Sequence, residues 1–477
     1  MLLYVNFIEV NFILQTLKSI PIHQIKILVE VLLLLTAYIL IVVNKKPLSI
    51  FARKTFLILQ RLNNIKVINN KFTLYFLLIS LCFCINFPNV TTPFGTGDGQ
   101  YDDAIDSFSE HLVRGTVQKN IYHPNDYHPF MIISTGYANP GYDWKYYDGI
   151  YTTQYRSNLA LQTLPMTFIA STLKIKSDEE FDQYFRVLRK INAIGFAFLL
   201  TIFFYNFCKK NNYQHNSLIP ILVTLNSGFA FYSQNLYFIS AIYALPMALL
   251  SSELLKKNKY SYFSVFICGL LVFLRGYEFL TLYALLVAFI CFYFKEGTLK
   301  EKLLSSIIAF LITVSSFITV VICHIYLIWR FETFPISLTQ AFETFTYPAK
   351  LRSLSLRDVP FPFSLEFFGH FYRLFIYTLG FSFFQTGDIK FGSDMKFGIP
   401  AFIILTAYLK LFFLRFKKAN LDERAIFIYS FLGYISWYIF GYQHIMGHGG
   451  MYNYFLFSFS IALCFSMLLI TILNEKN

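Results

Sequence analysis

Apolar residues in this chain come in long runs divided by short polar turns, not in the stripes of a soluble amphipathic helix or the alternation of a half-buried strand. A helix needs about 20 apolar residues to cross a bilayer, and fewer where the bundle thins it. Such runs occupy 25–43, 72–87, 191–208, 217–232, 235–252, 261–274, 279–294, 303–329, 398–415, 425–440 and 453–473. Residues 1–17 are also apolar but interrupted by Glu9, which leaves an interfacial helix or a further span open; no basic n-region or small-residue cleavage site marks a removed signal.

Two long polar stretches, 88–190 and 330–397, break the pattern. The first opens on a Gly-rich turn, Gly95-Thr-Gly-Asp-Gly99. A helix is predicted from Tyr101 to Val113, with Ala104, Ile105, Phe108 and Leu112 on one face and Asp102, Asp103 and Asp106 in its first turns, where carboxylates suit the helix dipole. An aromatic loop follows from Tyr122 to Tyr155, punctuated by Pro124, Pro129 and Pro140. Residues 159–175, bounded by Arg156 and Lys174, read as a helix lying on or dipping into the membrane surface.

Charge orders these segments. The 40 Lys and Arg exceed the 27 Asp and Glu by 13, a surplus that on a soluble chain points to nucleic acid. Here it collects in particular turns. Lys45, Lys46, Arg53, Lys54, Arg61, Lys66 and Lys71 share 44–71 with no acid, whereas 89–158 is acidic. Basic turns at 44–71, Lys209-Lys210, Lys256–Lys259, Lys295–Lys302, Arg415–Arg424 and the tail, placed in the cytoplasm, give one consistent alternation. Both long polar stretches then face outward, and no nucleic-acid partner is expected. The composition, 56% hydrophobic and 14% charged with 57 Phe and 34 Tyr, agrees with an all-α polytopic membrane protein. The seven cysteines lie in apolar runs without a CxxC spacing, so neither a disulfide framework nor a zinc site is expected. Heptads, short-period repeats and low-complexity tracts are absent from the sequence.

Four constellations carry candidate chemistry on the outer side, each with a plain structural alternative. Asp98 with Asp102 and Asp103 supplies carboxylates for a general base or a divalent cation, or solvates a loop and caps a helix. His444 and His448, spaced i,i+4 in the Gly-rich turn 441–453, can ligate a metal or grip a phosphate, or cover an exposed turn. Arg275 and Glu278 join two apolar runs as a ligand site or as an i,i+3 ion pair on a helix. Lys350, Arg352, Arg357 and Arg373 suit phosphate recognition, in a stretch with nearly as many acids as bases, where a solvated face is the alternative.

The pattern resembles the GT-C superfamily of membrane glycosyltransferases. A span leads directly into a large outer loop; Gly97-Asp-Gly-Gln-Tyr-Asp-Asp-Ala-Ile-Asp-Ser-Phe108 resembles the acidic motif and short helix that open that loop in the family. The likeness extends to bacterial inner-membrane members through Tyr151-Thr-Thr-Gln-Tyr-Arg-Ser-Asn-Leu-Ala-Leu-Gln162, Ser233-Gln-Asn-Leu-Tyr237 with Leu245-Pro-Met247, Arg275-Gly-Tyr-Glu278 and the two-His turn. These features thread most of 72–473, and residues 1–71 add an N-terminal segment with an extra span that departs from the family pattern.

The resemblance implies a bundle of about 11–12 transmembrane helices whose first outer loop carries membrane-surface helices, sited in the bacterial inner membrane. It implies a polyprenyl-phosphate-linked sugar donor and a glycan, lipid or protein acceptor. Asp98 is then the expected base, with Asp102 or Asp103 as second acid. Arg275, His444, His448, Arg352 and Arg357 are candidates to hold the leaving phosphate, Glu278 is a candidate beside Arg275, and Tyr151 and Gln154 are candidates to line the sugar and acceptor cavity or to form an interfacial belt. The superfamily has metal-dependent and metal-independent members; the acids here lack a clear oxygen cage, so metal-independent chemistry is expected, with Mg²⁺ or Mn²⁺ as the alternative.

The sequence lacks a P-loop, which excludes a self-contained nucleotide-driven pump. It also lacks paired broken spans in two halves and acids deep within spans, which weakens a transporter. The rival readings are an envelope-polysaccharide polymerase or ligase, relying on outer-loop arginines, and a lipid-glycan transporter.

Overall fold

The computed structural model describes residues 71–84, 107–122, 132–135, 152–155, 158–213, 219–252, 260–331, 335–352, 395–441 and 455–475. In chain order the helices are α1 Lys71–Cys84, α2 Ser107–Tyr122, α3 Thr163–Thr172, α4 Asp178–Lys210, α5 Ile219–Leu225, α6 Ser227–Tyr232, α7 Ser240–Ser251, α8 Tyr260–Arg275, α9 Leu280–Phe294, α10 Leu299–Phe331, α11 Leu338–Arg352, α12 Met395–Arg415 and α13 Leu421–Phe440. Last comes α14, Phe455–Glu475, which contains a π-helical turn at Ser458–Ala462. A two-stranded antiparallel ribbon interrupts the all-helical plan: β1 Ile132–Thr135 pairs with β2 Thr152–Tyr155, Ile132 opposite Tyr155 and Ile133 opposite Gln154. By length and composition α4, α10 and α14 can each cross a membrane, so the chain is a membrane protein. Around them pack the shorter apolar helices α1, α7, α8 and α9.

Local chemistry explains several boundaries. Ser177 closes a capping box with Glu180: its Oγ accepts from Glu180 N at 3.2 Å, and Glu180 Oε2 accepts from Ser177 N at 3.1 Å. This start, with acids in the first turn and Lys209 and Lys210 in the last, carries α4 well beyond the 191–208 run. Asn420 caps α13 by accepting from Glu423 N at 2.9 Å. The 217–232 run, predicted as one span, breaks at Asn226 into α5 and α6. The side chain of Asn226 turns away from its own helices and donates to Ser458 O at 2.9 Å, a carbonyl of the π-helical turn. Tyr429 OH donates to the next one, Phe459 O, at 2.6 Å. Two neighbouring segments thus add donors to carbonyls of the π-helical turn, Ser458 O also accepting from Leu463 N within it.

Other expectations shift too. The helix predicted over 101–113 lies at Ser107–Tyr122, with 101–106 outside the described residues. The 122–155 loop contains the β-ribbon, and the helix expected within 159–175 is α3, followed by a turn into α4. Within the second outer stretch stands α11, which no pattern announced.

The core is aromatic. Phe196, Phe229, Tyr243, Phe455 and Phe459 interlock between α4, α6, α7 and α14, with ring centroids 4.8–5.9 Å apart. On one side of this core α9 is buried along its length, packing on α10 and α13, while α7 lies on α4.

Candidate functional site

Charged ends gather at one end of the helices. Asp422 at the start of α13 bridges Lys210, the last residue of α4, at 2.9 Å and Lys302, in the first turn of α10, at 2.5 Å. Arg415 at the end of α12 pairs with Glu423 at 3.0 Å and with Glu475 of α14 at 2.7 Å. These are the ends that the charge alternation places in the cytoplasm. A cavity of about 270 Å³ sits beside them, lined by Asn211, Tyr213, Tyr293, Lys302, Asp422 and Thr471 among others. Its charged groups are engaged with one another across helices, which makes it a stitch between elements.

The opposite end holds a different arrangement. Segment 233–239, between α6 and α7, is irregular, and 233–238 is buried. Irregular backbone at that depth must find partners within the protein, and it does. Asn192 of α4 donates to Ser233 O at 2.8 Å and Asn235 O at 3.0 Å. Gln234 donates to Phe83 O at 2.7 Å and Cys84 O at 3.1 Å, fastening the end of α1. Glu110 of α2, itself paired with Arg189 at 3.5 Å, accepts from the amides of Leu236 and Tyr237. Through Glu110, the helix that follows the acidic motif is tied to this segment.

Around Tyr237 a buried node closes. Glu278 Oε1 accepts from Tyr237 OH at 2.7 Å and from Asn158 Nδ2 at 2.9 Å. Arg275 donates to Tyr237 O at 3.0 Å and to Tyr243 OH at 2.8 Å, and lies 3.7 Å from Glu278 Oε2. Tyr243 OH in turn donates to Glu278 O at 2.7 Å. The guanidinium is also boxed by the rings of Tyr237, Phe238 and Tyr243, 5.4–5.9 Å from their centroids. Gln162 donates to Tyr237 O at 3.3 Å, and Leu161 N to Leu274 O at 2.9 Å, which clips the loop after β2 to the last turn of α8.

Arg275 and Glu278 form the i,i+3 ion pair that was one of the two alternatives, 3.7 Å apart, but not on a helix. Helix α8 ends at Arg275, and Glu278 stands in the corner before α9, where Phe279 takes a left-handed φ of 60°. A Cβ at Gly276 in that corner would lie 2.5 Å from Glu278 Oε2 and 3.2 Å from Asn158, so any side chain there would displace the carboxylate of the node. Phe279 then stacks on Phe455 at 4.4 Å, setting the first residue of α14 beside the node.

Next to it, Tyr277 N donates to Asn158 Oδ1 at 3.4 Å, and Tyr277 OH meets His324 Nδ1 of α10 at 2.8 Å. The two rings also stack at 5.8 Å. His324 Nε2 is buried with no hydrogen-bond partner among the described residues.

Of the residues singled out in the sequence, Arg275 and Glu278 meet in this node. Gln154 is placed by its register on β2 and Arg352 ends α11. Asp98, Asp102, Asp103, Tyr151, Arg357, His444 and His448 lie outside the described residues. Asn158, Tyr237, Tyr243, Glu110 and His324 join the site although none was assigned a role; Asn158 and Tyr237 stood inside quoted segments. At 1% and 2% exposure Arg275 and Glu278 face protein, so the node can hold three chain segments in register rather than present charge to solvent. Among the described residues no three His, Cys, Asp or Glu side chains gather to hold a metal. No family model, curated protein or solved structure matches the chain.

Proposed function

We propose that the protein is an integral membrane glycosyltransferase of GT-C type, a multi-pass bundle of about 11–12 spans in the bacterial inner membrane. It moves a sugar from a polyprenyl-phosphate donor to an acceptor on the outer face. The observation that supports this reading is convergence. Residues 158–162, 233–237 and 275–278, three of the segments that carry the resemblance, meet in one buried node at the end opposite the basic turns.

In the proposed reaction Asp98 accepts the proton of the acceptor hydroxyl as its oxygen attacks the anomeric carbon. The bond from that carbon to the phosphate oxygen breaks, the configuration inverts, and polyprenyl phosphate departs with the bonding electrons. Asp102 or Asp103 serves as second acid. His444, His448, Arg352 and Arg357 hold the leaving phosphate, and Tyr151 and Gln154 line the sugar cavity. Arg275 and Glu278 act on this chemistry through the node, as positioning residues. Transfer proceeds without a metal, so full activity in strong chelator is expected; complete loss rescued by Mg²⁺ or Mn²⁺ would overturn that part.

Mass spectrometry of lipid-linked and surface glycans in cells lacking the protein tests the whole reading. One sugar should vanish from a surface glycan while its polyprenyl-phosphate donor accumulates. Unchanged surface glycans and donor pools would contradict it. Loss of glycan with Arg352→Ala and Arg357→Ala, but not with Asp98→Asn, would favour a polymerase or ligase.

A further inference from the structure

Helix α11 divides its surface into arcs with different neighbours. At 100° per residue, Ala341, Phe345 and Pro348 share one arc. Ala341 is buried against Ile328 of α10, and Phe345 sets its ring edge-on to His324 at 5.3 Å and Tyr277 at 5.8 Å. Leu338 and Phe342, one turn apart, border this arc but are 60% and 53% exposed. The opposite arc carries Thr339, Gln340 and Glu343, all exposed, together with Tyr347. Half of the apolar arc is thus spent on α10, and the other half continues outward beside it.

The adjoining surface of α10 shows what lies there. Leu304, Ile307, Leu311, Ile318 and Ile322 form an exposed apolar strip along a helix long enough to cross a membrane. At its C-terminal end stand Tyr326 and Trp329, both about half exposed with ring centroids 6.0 Å apart, and then exposed Arg330. An apolar strip closed by Tyr and Trp and then by a basic residue is the profile of a lipid-facing helix passing from hydrocarbon into headgroups. Helix α11 docks at that depth, at His324 and Ile328, and its capping pair, Ser337 and Gln340, lets the chain turn there: Ser337 N donates to Gln340 Oε1 at 2.8 Å and Gln340 N to Ser337 Oγ at 3.2 Å.

We infer that α11 lies at the membrane interface at the C-terminal end of α10, with phospholipid covering its exposed apolar edge. Leu338 and Phe342 dip into the acyl-chain boundary beside α10, and Thr339 and Glu343 face the headgroup layer. This assignment rests on the membrane location of α10 and is independent of glycosyl transfer.

The test uses the full chain in phosphatidylcholine nanodiscs, with Phe342→Trp, Leu338→Trp and Glu343→Trp compared one at a time with the parent, whose three native tryptophans supply the baseline. Lipid brominated near the carbonyl end of the acyl chain should quench the added emission of Phe342→Trp and Leu338→Trp at least about threefold more than that of Glu343→Trp, and aqueous iodide should rank them the other way. Agreement between the two apolar-edge variants guards against local misfolding of either. Iodide quenching of Phe342→Trp and Leu338→Trp as strong as that of Glu343→Trp would place the edge in water. Shielding of both from either quencher would place protein over it, another segment or a second copy. Either result overturns the inference.

Discussion

Arg275 and Glu278 are buried at 1% and 2% exposure, and a charge held there persists only if its partners are present; removing one partner of a buried pair costs about 3–5 kcal/mol. Glu278→Ala should therefore lower stability by about that amount, read as the midpoint of thermal unfolding in detergent. Tyr237→Phe, which deletes the hydroxyl that donates to Glu278 and accepts from Asn158 Nδ2, should cost about 1–3 kcal/mol. A Glu278→Ala protein melting with the parent would show that the node bears no stress. The pair itself was legible, since ionisable residues at the edge of apolar runs stand out. Its geometry was not, because the helix ends one residue before the turn that Gly276 permits. Asn158 and Tyr237 were harder still: an amide in a polar stretch and one of 34 tyrosines carry no local mark of the carboxylate they serve, which comes from a distant part of the chain.

At the scale of elements, long apolar runs gave reliable helices. The 261–274, 279–294 and 303–329 runs appear as α8, α9 and α10 with ends moved by a few residues. Misreadings arose where tertiary partners override local pattern. Asn226 is followed by Ser227 and Gly228, a turn signal outweighed by the apolar residues around it, and its side chain is held by the carbonyl of Ser458. Asn226→Ala would remove one of the donors to that buried carbonyl, which also accepts from Leu463 N, and a loss of about 0.5–1.5 kcal/mol is expected from thermal unfolding; no loss would mean that the break and the π-helical turn are independent. Helix α4 is a different case. Its capping box, Ser177 to Glu180, was visible in the sequence and would have moved the start to the correct place. Helix α11 stayed hidden because its apolar arc is shared between α10 and the surroundings, leaving too narrow a stripe for the periodic signal.

At the scale of the molecule, Asp422 and Arg415 join the ends of five helices at one pole, and the node joins α2, α4, α7, α8 and α9 at the other. This separation matches the alternation drawn from basic turns. A reporter active only outside the cytoplasm should work when fused after Arg352 and fail when fused after Lys418; the reverse pattern would invert the topology and remove Asp98 from the outer face. Asp422→Ala leaves Lys210 and Lys302 facing each other, and the expected cost, about 1 kcal/mol for this partly exposed network, should grow as salt is lowered.

Outward glycosyl transfer with Asp98 as base is the proposed function. Its most direct measurement is complementation of cells lacking the protein by Asp98→Asn at matched protein level, read by mass spectrometry of surface and lipid-linked glycans. The expected result is a stable, membrane-inserted variant that fails to restore the missing sugar while the polyprenyl-phosphate donor stays elevated. Full restoration by Asp98→Asn would contradict the assignment of the base.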